Sequence, residues 1–330
     1  MSPKVSVIIP VYGVEKYIER CARSLFEQTL DDIEYIFVDD CTRDNSINIL
    51  KDIINLDPNR REQITIVRHE INKGLPRARK TGVENAHGKY IAHCDSDDYV
   101  EKDMYEILYY KAEEEDADIV FCDYYYEGRY KTVIKAFPEN RMDKDYINYH
   151  CSSYTGAVTM YSYFAKRELY NYIEFPTSNI CEDQATTCQL RYFGNKLAYI
   201  QKPLYHYVIS KNSMTTFDSD EKIKRNLTQA KNNIDFIISF YKKKQIGEKY
   251  INIIKTRTVT ELMTYVKDKK KLREMSAEFY PEIRCRVYSD HDIPFILKVK
   301  YFFLSHRLYV INDAVMHSAI LQKIARIFVK

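Results

Sequence analysis

The sequence predicts an α/β fold in which a mostly parallel sheet is flanked by helices and followed by a helical C-terminal region. Two observations carry this prediction. Within the first hundred positions, four short strand-like runs begin about 26 to 30 residues apart, which is the length of a βαβ unit. Between these runs, apolar residues recur at helical spacing, as expected for helices that connect parallel strands.

Four strands are predicted in the first hundred residues. The first of them, Val5 to Ile9, is a short apolar, β-branched run, which is typical of a strand buried on both faces of a sheet. The four strands cover residues 5–9, 34–38, 63–67 and 89–94.

Three helices are predicted between these strands. The first begins at Ile18, from which apolar residues recur every third or fourth position. Asp44 can accept hydrogen bonds from free backbone N–H groups and thereby cap the second helix. The third helix runs from Leu75 to Ala86. Because each strand is followed by a helix, we expect the strands to run parallel.

The pattern changes after the first hundred residues. A helix over 102–115 leads to a fifth strand over 118–122, and a tyrosine-rich segment with weaker periodicity follows. From about residue 216 the chain is predicted to be helical to its end.

The composition excludes several classes of protein. Of the 330 residues, 45% are hydrophobic and 29% are charged, as in soluble globular proteins. The 50 Lys and Arg residues nearly balance the 47 Asp and Glu residues, so the overall charge does not argue for a nucleic-acid partner. The chain enters a strand-like run directly after Met1, without a signal-peptide pattern. The longest uncharged stretch, 146–165, is too polar to span a bilayer.

Glycine and cysteine motifs are missing as well. The eight glycines are never spaced as GxG or GxxxxGK[ST], which argues against dinucleotide-dependent dehydrogenases and P-loop enzymes. The eight cysteines form no CxxC pair, which argues against a zinc ribbon or a thioredoxin-type site.

Carboxylates follow the predicted strands at the points where ligands bind in open parallel sheets. Asp39 and Asp40 follow the second strand, and Asp95, Asp97 and Asp98 follow the fourth. Single aspartates at such positions often only cap helices, but a group of like charges favours a cation among them. Mg²⁺ and Mn²⁺ prefer carboxylate oxygens and leave coordination positions open for phosphate. The sequence therefore indicates a metal-bridged diphosphate site.

The order and spacing of five segments resemble those of family 2 glycosyltransferases of the GT-A fold. The resemblance is clear over residues 3–125 and weaker from there to about residue 215. The five segments are Val5-Ser6-Val7-Ile8-Ile9-Pro10-Val11-Tyr12, Phe26-Glu27-Gln28-Thr29, Phe37-Val38-Asp39-Asp40, Asn72-Lys73-Gly74 with Ala78-Arg79, and His93-Cys94-Asp95-Ser96-Asp97-Asp98-Tyr99. The resemblance implies a nucleotide-sugar-binding half over 1–100, an acceptor-binding half over 101–215 and a helical region over 216–330.

The resemblance also implies roles for residues that would bind the nucleotide sugar. Pro10 and Tyr12 match positions that line the base, and Tyr12 could stack on it. Asp40 matches the carboxylate that accepts a hydrogen bond from uracil. Lys73 and Arg79 match basic positions near the diphosphate, although the start of an exposed helix would also explain them.

The acidic segment after the fourth strand matches the DxD-type signature of the family. By the resemblance, Asp97 or Asp98 holds Mn²⁺ or Mg²⁺ while its neighbour contacts ribose or sugar, and Asp95 belongs to the same signature that binds the nucleotide sugar. His206 could approach the metal or the diphosphate, but we favour a buried, hydrogen-bonded histidine at that position.

A second acidic pair, Glu182 and Asp183, lies where a helix is predicted to begin. Carboxylates in a first helical turn are favoured by the helix dipole alone. In the family this pair supplies the general base, so Asp183 is predicted to be the base and Glu182 its supporting neighbour. The resemblance thus implies inverting transfer of a sugar from a nucleotide sugar, expected to be a UDP-sugar, to an acceptor hydroxyl.

Residues 296–330 carry six basic residues against one Asp, a net charge of +5, alternating with apolar residues. Such a basic amphipathic segment can lie on an anionic membrane surface, although packing against the protein or in a homodimer would also explain it. We therefore expect a cytoplasmic enzyme, peripheral at the inner face of the plasma membrane, that acts on a glycan or lipid-linked glycan in surface polysaccharide synthesis.

Three other interpretations stay open at this point. A non-catalytic nucleotide-sugar-binding or scaffold protein of the same fold would be expected to lack the base or a DxD carboxylate, and both are present. A nucleotidyltransferase normally has a glycine-rich loop after the first strand, which Pro10 to Val14 does not provide. A phospho-acceptor receiver domain has a similar acidic pair but no acidic segment after the fourth strand.

Overall fold

The structure is a computed structural model in which residues 2–128, 130–137, 141–152, 157–209, 219–265, 279–284 and 286–305 are described. It divides the chain into two compact units, Met1–Met214 and Thr215–Lys330.

The first unit contains a nine-stranded sheet within its described residues. Its strands are β1 (Val5–Val11), β2 (Ile33–Asp39), β3 (Ile64–Arg68), β4 (Tyr90–His93), β5 (Tyr99–Val100), β6 (Ile119–Glu127), β7 (Lys131–Ile134), β8 (Tyr163–Lys166) and β9 (Leu197–Val208). Their order is β3-β2-β1-β4-β8-β6-β9-β5, with β7 paired to β6. The helices of this unit are α1 (Ile18–Phe26), α2 (Ser46–Leu56), α3 (Leu75–Glu84), α4 (Met104–Glu115), α5 (Lys144–Ser152) and α6 (Glu182–Phe193).

The pairing of the strands changes from one half of the sheet to the other. β1 pairs in parallel with β2 and β4, and β2 pairs in parallel with β3, as the βαβ pattern predicts. Beyond β4, strand β8 runs antiparallel to both β4 and β6, whereas β6 and β9 are parallel. The α/β fold class is confirmed, and the antiparallel strand β8 is an addition that the pattern of the first hundred residues did not predict.

The central strand β1 is buried over its whole length because helices cover both faces of the sheet. Val5, Val7 and Ile9 point into one hydrophobic cluster and Ile8 into the other. This alternation follows from the two-residue period of a strand. It explains why the run contains apolar residues at successive positions.

The packing of α3 on β1 requires the glycine at position 82. A methyl group there would lie 2.2 Å from Cγ2 of Ile8, closer than real contacts allow. We expect Gly82→Ala to lower the free energy of unfolding by about 1–3 kcal/mol through this overlap. In a helix without such a clash, the same change would stabilise by about 1 kcal/mol.

Urea denaturation of the full chain measures this effect. Gly247→Ala is the matched control, since its added methyl group would meet nothing closer than 3.8 Å. A Gly82→Ala chain as stable as the original would contradict the packing described for α3.

The second unit is helical in its described part. It contains α7 (Asp220–Lys243), α8 (Glu248–Tyr265), α9 (Pro281–Arg284) and α10 (Phe295–Ser305). Ser219 caps α7 by accepting a hydrogen bond from the Lys222 backbone N–H, and acidic residues begin this helix while lysines end it, as the helix dipole favours.

The basic segment over 296–330 is described only in part. Residues 296–305 belong to α10, and 306–330 lie outside the described residues. Within the described ranges, none of the helices combines the length and the apolar character that a membrane span needs.

Candidate active site

The acidic loop after β4, which contains Asp95, Asp97 and Asp98, is joined to β9 by hydrogen bonds. The Tyr205 hydroxyl donates to Oδ2 of Asp98 at 2.7 Å and accepts from the Asp95 backbone N–H at 3.0 Å. The Val208 backbone N–H donates to Oδ1 of Asp98 at 2.7 Å. Both carboxylate oxygens of Asp98, which is 1% exposed, therefore have partners. In this arrangement Asp98 fixes the loop against β9.

Asp97 differs from Asp98 in its surroundings. Its side chain is partly exposed, and no side chain among the described residues donates a hydrogen bond to its carboxylate. Burial, followed by the charge of Asp95, raises the pKa of Asp97 to about 6. The Arg20 guanidinium donates instead to the Asp97 backbone carbonyl at 2.7 Å. Of the two predicted metal ligands, Asp97 is thus the one whose carboxylate is available.

The donor chemistry of this loop fits a hard divalent cation, because carboxylate oxygens are the preferred ligands of Mg²⁺ and Mn²⁺. Asp97 is available and Asp95 lies two positions before it, close enough for its charge to raise the pKa of Asp97. Within the described parts of the chain, no group of three or more His, Cys, Asp or Glu side chains is arranged to hold a metal ion by itself. A cation here would therefore take further ligands from elsewhere, such as phosphate oxygens.

Arg79 lies at the centre of a second set of contacts, made with carboxylates. It projects from α3, is 1% exposed, and donates through Nε to Oε1 of Glu182 at 2.8 Å. Its Nη2 atom donates to Oδ1 of Asp95 at 2.9 Å and to Oδ1 of Asp183 at 3.3 Å. We refer to these four side chains as the Arg79 cluster.

This arrangement differs from the role predicted for Arg79. We expected its guanidinium near a donor diphosphate, but the side chain is enclosed by the three carboxylates of the Arg79 cluster. One cation faces three acidic groups there. A structural role, namely joining α3, β4 and α6 at this point, follows directly from the contacts.

Glu182 and Asp183 occupy the first turn of α6, as the sequence predicts. Cys181 before them has φ of +62°, which turns the chain sharply into the helix. The dipole of α6 favours both carboxylates at this end. Glu182 is 2% exposed, whereas the side chain of Asp183 is 28% exposed, so only Asp183 can be reached from solvent.

The environment of Asp183 raises its affinity for a proton. Burial, followed by the neighbouring charge of Glu182, raises its pKa well above the usual range, and Arg79 opposes this shift. A carboxylate with a raised pKa accepts a proton more readily than an ordinary one. The pKa of Asp95 is raised as well, again mainly by burial.

Asp40 holds the loop that precedes α3. Its Oδ1 accepts from the Lys73 backbone N–H at 2.8 Å and lies 2.7 Å from Nδ1 of His69, while Oδ2 accepts from the Gly74 backbone N–H at 2.8 Å. Asp40 is 3% exposed. A contact with a nucleotide base, as predicted for Asp40, would compete with these bonds.

Two residues that the sequence did not single out complete this loop. His69 joins Asp40 to α3, since its Nε2 lies 2.9 Å from Oγ1 of Thr81. Asn179 accepts through Oδ1 from the Leu75 backbone N–H at 3.1 Å, directly beside Gly74. Gly74 has φ of +86°, and a side chain there would collide with Asn179. Position 74 therefore requires glycine, both because of its positive φ and because there is no room for a side chain.

The other predicted donor-site residues lie at the same edge of the sheet. Pro10 is buried in β1, and its carbonyl accepts from the Ser96 hydroxyl at 2.6 Å. Tyr12 follows β1 and is 54% exposed, so its ring is free to stack on a planar ligand. The side chain of Lys73 is exposed.

His206 is buried and hydrogen-bonded, as we expected. Its Nδ1 lies 2.8 Å from Oε1 of Glu127 and its Nε2 lies 3.0 Å from Oε1 of Glu101. Its ring is stacked between Tyr99 and Tyr125, at centroid distances of 4.0 and 4.6 Å. These contacts place it among structural residues of β5, β6 and β9.

Residues 6–171 match the family model described as Glycosyl transferase family 2. The chain belongs to this family. Among its relatives, it is 33% identical over 222 residues to the putative glycosyltransferase EpsH of Bacillus subtilis (strain 168), covering 64% of this chain and 63% of that protein. It is 28% identical to the glycosyltransferase GlyG of Streptococcus pneumoniae serotype 4 (strain ATCC BAA-334 / TIGR4), covering 77% of this chain and 88% of GlyG.

The chain spans less than two thirds of the length of several of these relatives. It covers 63% of EpsH, 35% of EpsJ from the same Bacillus strain and 31% of GlyA from the same Streptococcus strain.

Solved structures show the fold of this family 2 chain. TarS 1-349 of S. aureus in complex with UDP-GlcNAc superposes with a TM-score of 0.59 at 16% identity, over 97% of this chain and 92% of that one. The mannosyltransferase PcManGT from Pyrobaculum calidifontis, in complex with GDP-Man and Mn²⁺, gives a TM-score of 0.56 at 16% identity, over 96% and 87%. The predicted GT-A fold is thereby confirmed.

Proposed function

We propose that this chain is an inverting glycosyltransferase that moves a sugar from a UDP-sugar to an acceptor hydroxyl. The acceptor is a glycan or a lipid-linked glycan in surface polysaccharide synthesis. One observation carries the proposal: Nη2 of Arg79 contacts both Asp95, on the predicted donor side, and Asp183, the predicted base. Arg79 thus links the loop that would hold the cation to the side chain that would remove the proton.

The donor would bind at the carboxyl edge of β1 to β4. Tyr12 offers an exposed ring to the base, and the exposed Lys73 offers a positive charge to the diphosphate. Asp97, with Asp95 beside it, would hold the divalent cation. When bound, that cation neutralises negative charge on the diphosphate. GDP-Man and Mn²⁺ in PcManGT, and UDP-GlcNAc in TarS, support this class of donor.

Asp183 would remove the proton from the attacking hydroxyl. Its partly exposed carboxylate can be reached by an acceptor, while the buried Glu182 and Arg79 hold it in place. No second carboxylate is proposed as a nucleophile, so the acceptor oxygen would displace the diphosphate in one step and invert the anomeric carbon.

Titration calorimetry of the full chain with UDP tests the proposal, with and without Mn²⁺. We expect uptake of UDP that requires Mn²⁺ and that Asp97→Asn weakens at least tenfold, because the variant loses the carboxylate charge that attracts the cation. A screen of UDP-sugars for hydrolysis then identifies the sugar, and the anomeric configuration of the released sugar tests inversion.

Lys80→Gln is a matched control, since Lys80 instead pairs with Glu84 on α3. If no nucleoside diphosphate binds to the folded protein in the presence of Mn²⁺, the proposal is wrong. Binding without any turnover would support the alternative of a non-catalytic binding protein. Attachment to the inner face of the plasma membrane and formation of a homodimer stay predictions.

A further inference from the structure

A row of stacked tyrosines lies on one face of the β6–β9 pair. The two strands pair in parallel, with Tyr124 opposite Tyr205 and Tyr126 opposite Tyr207. Since side chains alternate between the two faces of a sheet, these tyrosines share a face. Tyr161 packs against the same face.

The rings form a continuous series, which we call the tyrosine row: Tyr126, Tyr207, Tyr161 and Tyr205. Neighbouring ring centroids are 5.9, 5.8 and 4.3 Å apart in that order, with interplanar angles of 27°, 25° and 5°. The row is exposed at the Tyr126 end and buried at the Tyr205 end. Tyr126 is 39% exposed, whereas Tyr205 is fully buried.

The buried end of the tyrosine row joins the acidic loop. The Tyr205 hydroxyl donates to Asp98, one residue from Asp97. Burial and then the charges of Asp98, Asp95 and Asp97 raise the pKa of Tyr207, which places this ring within electrostatic reach of the loop. The row therefore extends from the candidate active site to the surface.

The exposed end carries hydroxyl groups as well as ring faces. Within the described residues, neither the Tyr126 nor the Tyr207 hydroxyl has a hydrogen-bond partner. A ring face suits the apolar C–H face of a pyranose, and a phenol hydroxyl can donate to or accept from sugar hydroxyls. The carboxylates nearby disfavour an anionic ligand.

We propose that the tyrosine row is the platform that binds the saccharide acceptor, with Tyr126 and Tyr207 in contact with neutral sugar units. This assignment rests on the proposed function and deepens it by naming the acceptor site and the chemistry that it recognises. A free oligosaccharide and the glycan of a lipid-linked acceptor present the same chemistry to these rings.

The absence of tryptophan from the sequence gives a direct test. Tyr126→Trp places the single Trp of the full chain in the row and keeps an aromatic ring there. Its fluorescence is followed while cellobiose, lactose or N,N′-diacetylchitobiose is added in the presence of UDP and Mn²⁺. Tyr110→Trp is the matched control, because Tyr110 lies on α4 and is 57% exposed.

We expect at least one disaccharide to change the fluorescence of the Tyr126→Trp chain in a saturable way, with no change in the Tyr110→Trp chain. Tyr126→Ala should then weaken the affinity for that disaccharide, measured by ligand-observed NMR, by up to about tenfold, the loss of one stacking partner.

Two results would overturn the assignment. One is the lack of a saturable signal with all three disaccharides, and the other is an unchanged affinity in Tyr126→Ala. UDP uptake measured on the same samples separates the two proposals. If UDP binds and no saccharide does, the acceptor platform is wrong and the proposed function stands; if UDP also fails to bind, the proposed function fails independently.

Discussion

Asp183→Asn is expected to lower the rate of sugar transfer by about 10²- to 10⁴-fold, the range that a positioned general base contributes. The amide has nearly the shape of the carboxylate but cannot take a proton from the acceptor hydroxyl. UDP affinity in the presence of Mn²⁺ should change little, because Asp183 is not among the residues proposed to hold the donor or the cation and the amide can still accept from Arg79. Steady-state transfer rates and UDP calorimetry on the same samples measure both quantities.

Glu182→Gln is the informative control for this prediction. Glu182 is 2% exposed and its Oε1 accepts from Arg79, so it cannot meet an acceptor directly. We expect a smaller loss of rate from Glu182→Gln than from Asp183→Asn. If Asp183→Asn keeps a near-normal rate while Glu182→Gln is inactive, the base has been assigned to the wrong residue.

The pH dependence of the rate provides a second check on the base. Because burial and Glu182 raise the pKa of Asp183, a larger fraction of this carboxyl is protonated at mildly acidic pH than of an ordinary aspartate. The rate should therefore rise as pH increases through that raised pKa. The residual rate of Asp183→Asn should lack this limb of the profile.

Local sequence was sufficient to predict the first half of the sheet. Strands β1 to β4 are short apolar runs separated by amphipathic helices, and such patterns depend only on neighbouring positions. β5, with two residues, is too short to show a period, and β8 lies beyond the fifth predicted strand, where the periodicity is weaker. Their pairing with distant strands is decided by tertiary contacts.

The predicted site residues also divide into those that local sequence places and those whose contacts depend on distant parts of the chain. Asp95, Asp97 and Asp98 follow β4 directly, so their position at the edge of the sheet comes from topology. The contacts of Asp98 with Tyr205 and of Arg79 with Glu182 link residues more than a hundred positions apart. One signal for the Arg79 contacts is local. Arg79 lies beside Ala78 on the buried side of α3, where a cation without a carboxylate partner is not tolerated.

Arg79→Met is expected to lower the free energy of unfolding by about 3–5 kcal/mol, the cost of removing one partner from a buried ion pair. The methionine fills much of the volume, but Asp95, Glu182 and Asp183 lose their only cation in the Arg79 cluster. Arg77→Met is the matched control on the exposed face of α3, and it should change stability by less than about 0.5 kcal/mol. Urea denaturation of the full chains measures both.

The pH dependence of this loss separates electrostatics from packing. The pKa values of Asp95 and Asp183 are already raised, mainly by burial, and Arg79 is the charge that opposes the shift. Without Arg79 the folded state should bind more protons than the unfolded state, so lowering the pH stabilises it. The stability difference between Arg79→Met and the original chain should therefore shrink from neutral to mildly acidic pH. A difference of the same size at both pH values would mean that Arg79 stabilises the fold mainly by filling volume. The inference that its charge holds Asp183 in place would then be wrong.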